Sequence, residues 1–205
     1  MKIFNSKKRV AALALTAAAL VSITAVQAGA IAADLPVRGK GTVCLTPEAA
    51  RALVTQGLTF EAIAPATGDG SCVTFPGSGS LSPNLTGGEI PLEGGMRFTA
   101  RGHQLDLTKV HIHIRLGEGY TSVDAAADGG PAKNIELFRY PVSLNRVTFT
   151  PTTVDTKDIP LSLTAPGAAA FTEAFAATPV AAGETLVTFD GHAEITNPFG
   201  GLPRR

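Results

Sequence analysis

The sequence predicts an all-β protein, an antiparallel sandwich or barrel with two short capping α-helices and one disulfide. Short runs of β-branched and aromatic residues alternate with Gly-, Pro- and Thr-rich turns after the first 28 residues. KVHIHIRL (109–116) alternates basic with aliphatic side chains, the period-two pattern of a strand with one buried face. Two Ala-rich segments, 47–57 and 162–175, are too short to be stable alone, so we expect them to cap the sheet.

The alternating segments place the strands in order. We expect strands at 41–46, 58–64, 72–81, 96–102, 103–107, 109–116, 120–123, 134–144, 146–154 and 185–195.

The strand pattern changes phase near Thr108. Leu105 and Leu107 occupy odd positions, whereas Val110 and Ile112 occupy even ones. All four can face one core only if an extra residue intervenes, so we expect a bulge or bend near Thr108.

The first helix has clear end signals. Thr46 suits the N-cap, Pro47 the first helical position and Glu48 the positive end of the helix dipole, while Gly57 ends the helix. Residues 44–57 resemble 162–175, which suggests two similar strand–helix–strand units. Ala-rich composition alone would also produce this weak repeat.

The N-terminus has the features of a secretory signal peptide. Four basic residues lie within the first nine, residues 10–26 carry no charge, and small residues offer cleavage after Ala28, Ala30 or Ala32. A retained membrane anchor is the alternative, but the apolar run is short for one. We therefore expect an exported protein without a membrane span after cleavage. The predicted division is signal peptide 1–28, mature N-terminal segment 29–40, one β-rich domain 41–196 and C-terminal tail 197–205.

The net charge and the two cysteines further limit what kind of protein this is. Loss of four basic residues with the signal peptide leaves a net charge of about −4, so we expect no nucleic-acid binding. Cys44 and Cys72, without CxxC spacing in an exported chain, predict a structural disulfide. Free thiols or shared metal ligation are the alternatives.

The known catalytic patterns are missing from the sequence. It contains no GxSxG, HExxH or P-loop, and GDGSCV (68–73) ends on Val where a dinucleotide fingerprint needs a third Gly. We therefore expect a protein that is not an enzyme.

The pair His111 and His113 is the main candidate site. Residues i and i+2 of a strand share one face, so both imidazoles could meet one ligand. A metal would need a further ligand from His103 or His192, and Lys109 and Arg115 would each repel it by about 2 kcal/mol per unit of metal charge at an effective dielectric near 20. We expect no metal. Two hypotheses for this face remain: it binds an anionic ligand such as haem, or it faces solvent without a ligand.

One stretch, GGMRFTARGHQLDLTKVHIHI (94–114), resembles the HtaA-type domain of actinobacterial secreted and surface haem-uptake proteins. The residues that match the family pattern are Gly95, Phe98, Gly102, His103, Leu105, Asp106, Leu107 and Thr108. GEGYTSV (117–123) is similar to a second family segment. In 160–175 the matches to the family's helix are Leu163, Thr164, Gly167, Ala168, Ala170 and Phe171.

The resemblance implies haem as a cofactor or cargo and a role in iron acquisition. Family members open with a segment containing Trp and a haem-ligating Tyr; residues 41–57 of this chain stand there instead, and the chain has no Trp. The candidate ligand-binding residues are His111, His113, His103, Tyr120, Lys109 and Arg115. The alternative is an extracellular or cell-envelope structural or interaction module without a small ligand.

Overall fold

The computed structural model describes residues 34–196. The predicted signal peptide, residues 29–33 of the predicted mature segment and the predicted tail at 197–205 lie outside the described residues. Within 34–196, no helix has the length and apolar character needed to cross a bilayer.

The described chain contains twelve strands. They are β1 (Leu35–Leu45), β2 (Thr59–Ile63), β3 (Thr67–Gly68), β4 (Cys72–Leu81), β5 (Gly88–Pro91), β6 (Gly95–Ala100), β7 (His103–His113), β8 (Gly117–Ala127), β9 (Lys133–Val142), β10 (Val147–Phe149), β11 (Thr153–Leu163) and β12 (Thr185–Ile195). The helices are α1 (Pro47–Gln56), α2 (Ala165–Phe175) and a 3-10 turn at Leu144–Arg146.

Eight strands close into an antiparallel barrel. Their order around the ring is β7, β5, β4, β1, β12, β11, β9 and β8, and pairing of β8 with β7 closes it. β6 pairs with the first half of β7, and β2 extends the sheet beyond β6. The predicted fold class is therefore confirmed, in its barrel form.

Both helices lie at the same end of the barrel. α1 follows β1 and α2 follows β11, and these two strands run in the same direction because both pair antiparallel with β12. Each begins with a threonine cap: the hydroxyl of Thr46 accepts from the Ala49 N–H at 3.1 Å, and that of Thr164 from the Gly167 N–H at 3.0 Å. α1 ends at Gly57, whose φ of 69° favours glycine. The end signals predicted for α1 are confirmed.

The helix-covered end is filled by aromatic side chains. Phe171 of α2 meets Phe98 edge-on at 4.8 Å between ring centroids, and Phe98 stacks on Phe60 at 4.9 Å. Gly167 lets α2 approach β9, since a Cβ there would lie 2.8 Å from the Leu137 carbonyl oxygen. Burial of each such ring stabilises the fold by roughly 2–3 kcal/mol.

Several predicted strand limits were wrong. β1 starts six residues before 41, and the strand expected at 120–123 extends over all of β8. The strand expected at 146–154 is two strands, since the Thr150 hydroxyl accepts from the Thr153 N–H in a turn. β3 and β5 were not predicted at all.

The first and last described strands are neighbours. β1 and β12 pair antiparallel, with Val37 opposite Ile195. Beyond the strand the Thr196 N–H donates to the Pro36 carbonyl at 2.9 Å. Both ends of the described chain therefore lie together at the end of the barrel that carries no helix.

The predicted disulfide joins Cys44 to Cys72. The two residues are opposite one another on β1 and β4, with Cα atoms 4.1 Å apart. The bridge closes a loop of 28 residues that contains α1, β2 and β3.

Replacing both cysteines by alanine should lower the free energy of unfolding by about 3.5 kcal/mol, because the unfolded chain regains the entropy of that loop. Urea denaturation followed by circular dichroism measures this. The wild-type protein under reducing conditions is the matched control and should unfold at the same urea concentration as the variant. Equal stability of reduced and oxidised wild type would contradict the expectation.

Candidate functional site

The histidine pair lies on the outer face of β7. His111 and His113 are half-exposed, while Val110 and Ile112, which alternate with them, are buried in the barrel. The outward orientation expected from the alternation is therefore confirmed. The strand ends at His113, and Ile114 still packs against the core, but Leu116, expected on the aliphatic face, is exposed.

The predicted phase change is a bulge at Lys109. The register between β7 and β8 shifts between Thr108 and His111, and Lys109 has a φ of 48°, in the sparsely populated left-handed region. Its ammonium group lies 2.8 Å from a carboxylate oxygen of Asp124. That contact raises the pKa of Lys109 and lowers the pKa of Asp124. The charge of Lys109 is thus balanced within the sheet.

His111 is oriented by a carboxylate from β5. Its Nδ1 lies 2.8 Å from Oε1 of Glu89. The hydrogen bond lowers the pKa of Glu89, so the carboxylate accepts and Nδ1 donates. In the neutral ring with this tautomer Nε2 of His111 carries the lone pair, and no residue within 34–196 hydrogen-bonds to it. A carboxylate behind an imidazole is a frequent arrangement for histidines that bind metals, because it fixes the ring and raises its basicity.

His113 is packed between other rings. Its plane stacks on Tyr120 at 4.3 Å and 12°, and the His111 ring lies 6.1 Å away on a similar plane. Its Nε2 is 2.9 Å from the Ser122 hydroxyl. Burial lowers the pKa of His113, so the ring is neutral at neutral pH.

Arg115 extends this row of rings past the end of β7. Its guanidinium carbon lies 5.6 Å from the centre of the Tyr120 ring, within cation–π range. A shallow polar groove beside Tyr120 is lined by Arg115, Glu118, Gly119, Tyr120, Glu136 and Arg139. Arg139 pairs with both glutamates of the groove. Arg115 forms no ion pair with any residue in the described range.

The other two histidines do not join the pair. His103 begins β7, about 25 Å from His111 along the strand at roughly 3.3 Å per residue. It lies 2.8 Å from an Asp128 oxygen. His192 lies on β12, three strands away from β5 around the ring, and its Nδ1 is 2.6 Å from Asp155.

Glu89 is the site residue that the sequence analysis missed. It lies on the short strand β5, opposite His113 in register, and reaches His111. One donor atom each from Glu89, His111 and His113 lies within 4.8 Å of the others, so small side-chain rotations could bring all three to one metal ion. Imidazole suits iron, zinc and copper, and the carboxylate offsets the positive charge of the ion.

A comparison with protein families matches most of the described chain. The HtaA family model (Htaa) matches residues 54–186.

The chain belongs to the HtaA family.

Solved structures of HtaA domains have the same fold. The C-terminal domain of HtaA from Corynebacterium glutamicum aligns with a TM-score of 0.60 and 16% identity, over 78% of this chain and 99% of that one. The heme binding protein HtaB from the same organism aligns with a TM-score of 0.52 and 15% identity, over 78% and 94%. No curated protein matches the sequence. The resemblance seen in residues 94–114 and 160–175 is confirmed.

The HtaA match begins inside α1. Residues 41–53, most of the segment expected to stand in place of the family's Trp- and Tyr-containing opening, precede it. In this chain those residues form the end of β1 and the first turns of α1.

The state of His113 predicts a pH dependence of stability. Burial lowers its pKa in the folded protein, His111 and Arg115 act in the same direction, and Glu89 opposes them. As pH falls below about 6.5 the unfolded chain binds the proton first, so the free energy of unfolding should decrease until the folded pKa is passed. The His113→Gln variant should show a smaller decrease between about pH 7.5 and pH 5. Urea midpoints at several pH values measure it.

His192→Gln is the control for that measurement, since His192 is exposed and paired with a carboxylate. Asp155, its partner, has a lowered pKa and stays ionised above about pH 5, so the slope of this variant between about pH 7.5 and pH 5 is the baseline for the loss of an exposed imidazole. An unchanged slope in His113→Gln would show that the ring is not held neutral in the folded state.

Proposed function

We propose that this HtaA domain is exported and captures haem outside the cell, with His111 as the ligand to iron. The observation that carries the proposal is the Glu89–His111 hydrogen bond, which engages Nδ1 and leaves Nε2 of His111 without a protein partner among the described residues. An imidazole held in this way is ready to coordinate haem iron. The proposed role is binding and transfer rather than catalysis.

The surroundings of His111 suit a porphyrin. His113 and Tyr120 form a rigid aromatic surface next to the ligand, with 4.3 Å between their rings. Arg115 supplies a cation beside Tyr120 for a propionate group. Lys109 contributes less than the alternating pattern indicated, because Asp124 already balances its charge.

The relatives support haem as the ligand class, since HtaB, with the same fold, is described as a heme binding protein. The chain has two tyrosines, and they differ in access. Tyr140 is buried, donates its hydroxyl to the His113 carbonyl, and has its pKa raised by burial. Tyr120 is half-exposed beside His113 and is therefore the one tyrosine that could replace His111 as the iron ligand.

Haemin titration of the purified protein should give a saturable Soret shift that His111→Ala abolishes. Glu89→Gln should weaken haemin affinity about tenfold, because it removes the group that orients and polarises the imidazole. The Soret band and a binding isotherm are the measurements. The control is His192→Ala, which removes a histidine with the same type of carboxylate partner at a distant point of the barrel.

Each other outcome has a defined meaning. A Soret shift retained in His111→Ala but lost in Tyr120→Phe would move the iron ligand to Tyr120 and reject His111. No shift in the wild type would reject haem capture and favour a cell-envelope interaction module.

Arg115 should contribute through the charge of the ligand. Arg115→Gln is expected to weaken haemin binding about fivefold, the scale of an exposed ionic contact of roughly 1 kcal/mol. Binding of haemin dimethyl ester, whose propionates are uncharged, should not change. An equal loss for both ligands would indicate that Arg115 acts by packing on Tyr120 instead.

A further inference from the structure

The barrel is incompletely filled at the end without helices. A cavity of about 120 Å³ extends inward from this end. Its lining includes the last residues of β4 and β9 and the early residues of β10 and β11: Leu81, Val142, Val147 and Val154. The aromatic cluster of Phe60, Phe98 and Phe171 fills the opposite end and closes the cavity there. The opening at the end without helices is called the mouth.

The cavity does not suit water. A buried water needs two to four polar partners, and the hydroxyls of Thr121 and Tyr140 on the wall are already engaged. The Thr121 hydroxyl accepts from the Phe138 N–H, and the Tyr140 hydroxyl donates to the His113 carbonyl. The Thr156 hydroxyl is buried and has no hydrogen-bond partner within the described residues, and one such group cannot hold a water alone.

The size of the cavity matches a short hydrocarbon group. An engineered apolar cavity of roughly 150 Å³ accommodates benzene, and eight-stranded barrels are wide enough to hold one small ligand. A rigid ring is not required here, because the mouth is open and a longer molecule can project from it.

The 3-10 turn next to the cavity wall carries an exposed apolar side chain and a cation. Leu144, in the 3-10 turn between the lining residues Ser143 and Val147, is 58% exposed. Arg146 lies in the same turn and donates to the carbonyl oxygen of Asp158. It forms no ion pair with a carboxylate in residues 34–196. Arg146 is not on the cavity wall itself but directly precedes the lining residue Val147, so a carboxylate that projects from the cavity beside this turn would meet a cation whose charge is not balanced.

We propose that the barrel interior is a second ligand site, which binds a medium-chain fatty acid with its alkyl chain inside and its carboxylate at Arg146. This site is separate from the outer face of β7: the alkyl chain would contact the inward residues of β11 and β12, whereas His111 and His113 point outward. The proposal does not depend on haem capture.

Octanoate is the probe, titrated into the isotopically labelled protein and followed by methyl chemical shifts. Saturable shifts should appear at Leu81, Val142 and Val154. Ala193→Leu, an inward position of β12 on the cavity wall, should weaken octanoate binding about tenfold by filling the space. Ala169→Leu, on the exposed face of α2, is the matched control and should bind as the wild type does.

Further measurements distinguish the loss of octanoate binding from a folding defect and from an effect on haem capture. Ala193→Leu should keep the wild-type thermal midpoint and haemin isotherm. Arg146→Gln should weaken octanoate but not octanol, which lacks the charge. No saturable shift with either probe, or unchanged octanoate affinity in Ala193→Leu, would overturn the proposal. Equal affinity for octanoate in Arg146→Gln would reject the carboxylate at the mouth.

Discussion

The arrangement of the outer site depends on one extra residue in β7. The bulge at Lys109 lets Leu105 and Leu107 on one side, and Val110 and Ile112 on the other, all face the barrel core. Without it the second half of the strand would be out of phase, and either its aliphatic residues or the first pair would face water. The outward direction of His111 and His113 follows from the same phase change.

The bulge is supported from the neighbouring strand. A lysine at a φ of 48° is unfavourable in isolation, and its ion pair with Asp124 of β8 holds it across the pair that closes the barrel. The bulge at Lys109 therefore couples three features: closure of the barrel by β7 and β8, the alternation phase of β7, and the position of the two imidazoles.

Local patterns were enough to predict much of the fold. The change of phase between Leu107 and Val110 indicated the bulge. Thr46 and Pro47 at the start and Gly57 at the end indicated α1, and the alternation in β7 showed which of its faces is exposed to solvent. The limits of β1 and β8 were missed because glycines and alanines there carry little periodic signal. Glu89 was missed because its role depends on β5 pairing with a strand more than twenty residues later, which no local pattern reports. The pairing of Lys109 with Asp124 was missed for the same reason.

The adjacency of the two ends of the described chain, through β1 and β12, has a topological consequence. Because Pro36 and Thr196 are hydrogen-bonded neighbours, a short linker could join them and the barrel could be reopened at a surface turn without altering its strand order. The same geometry would allow the domain to be inserted into a loop of another protein, because its two points of attachment would lie close together.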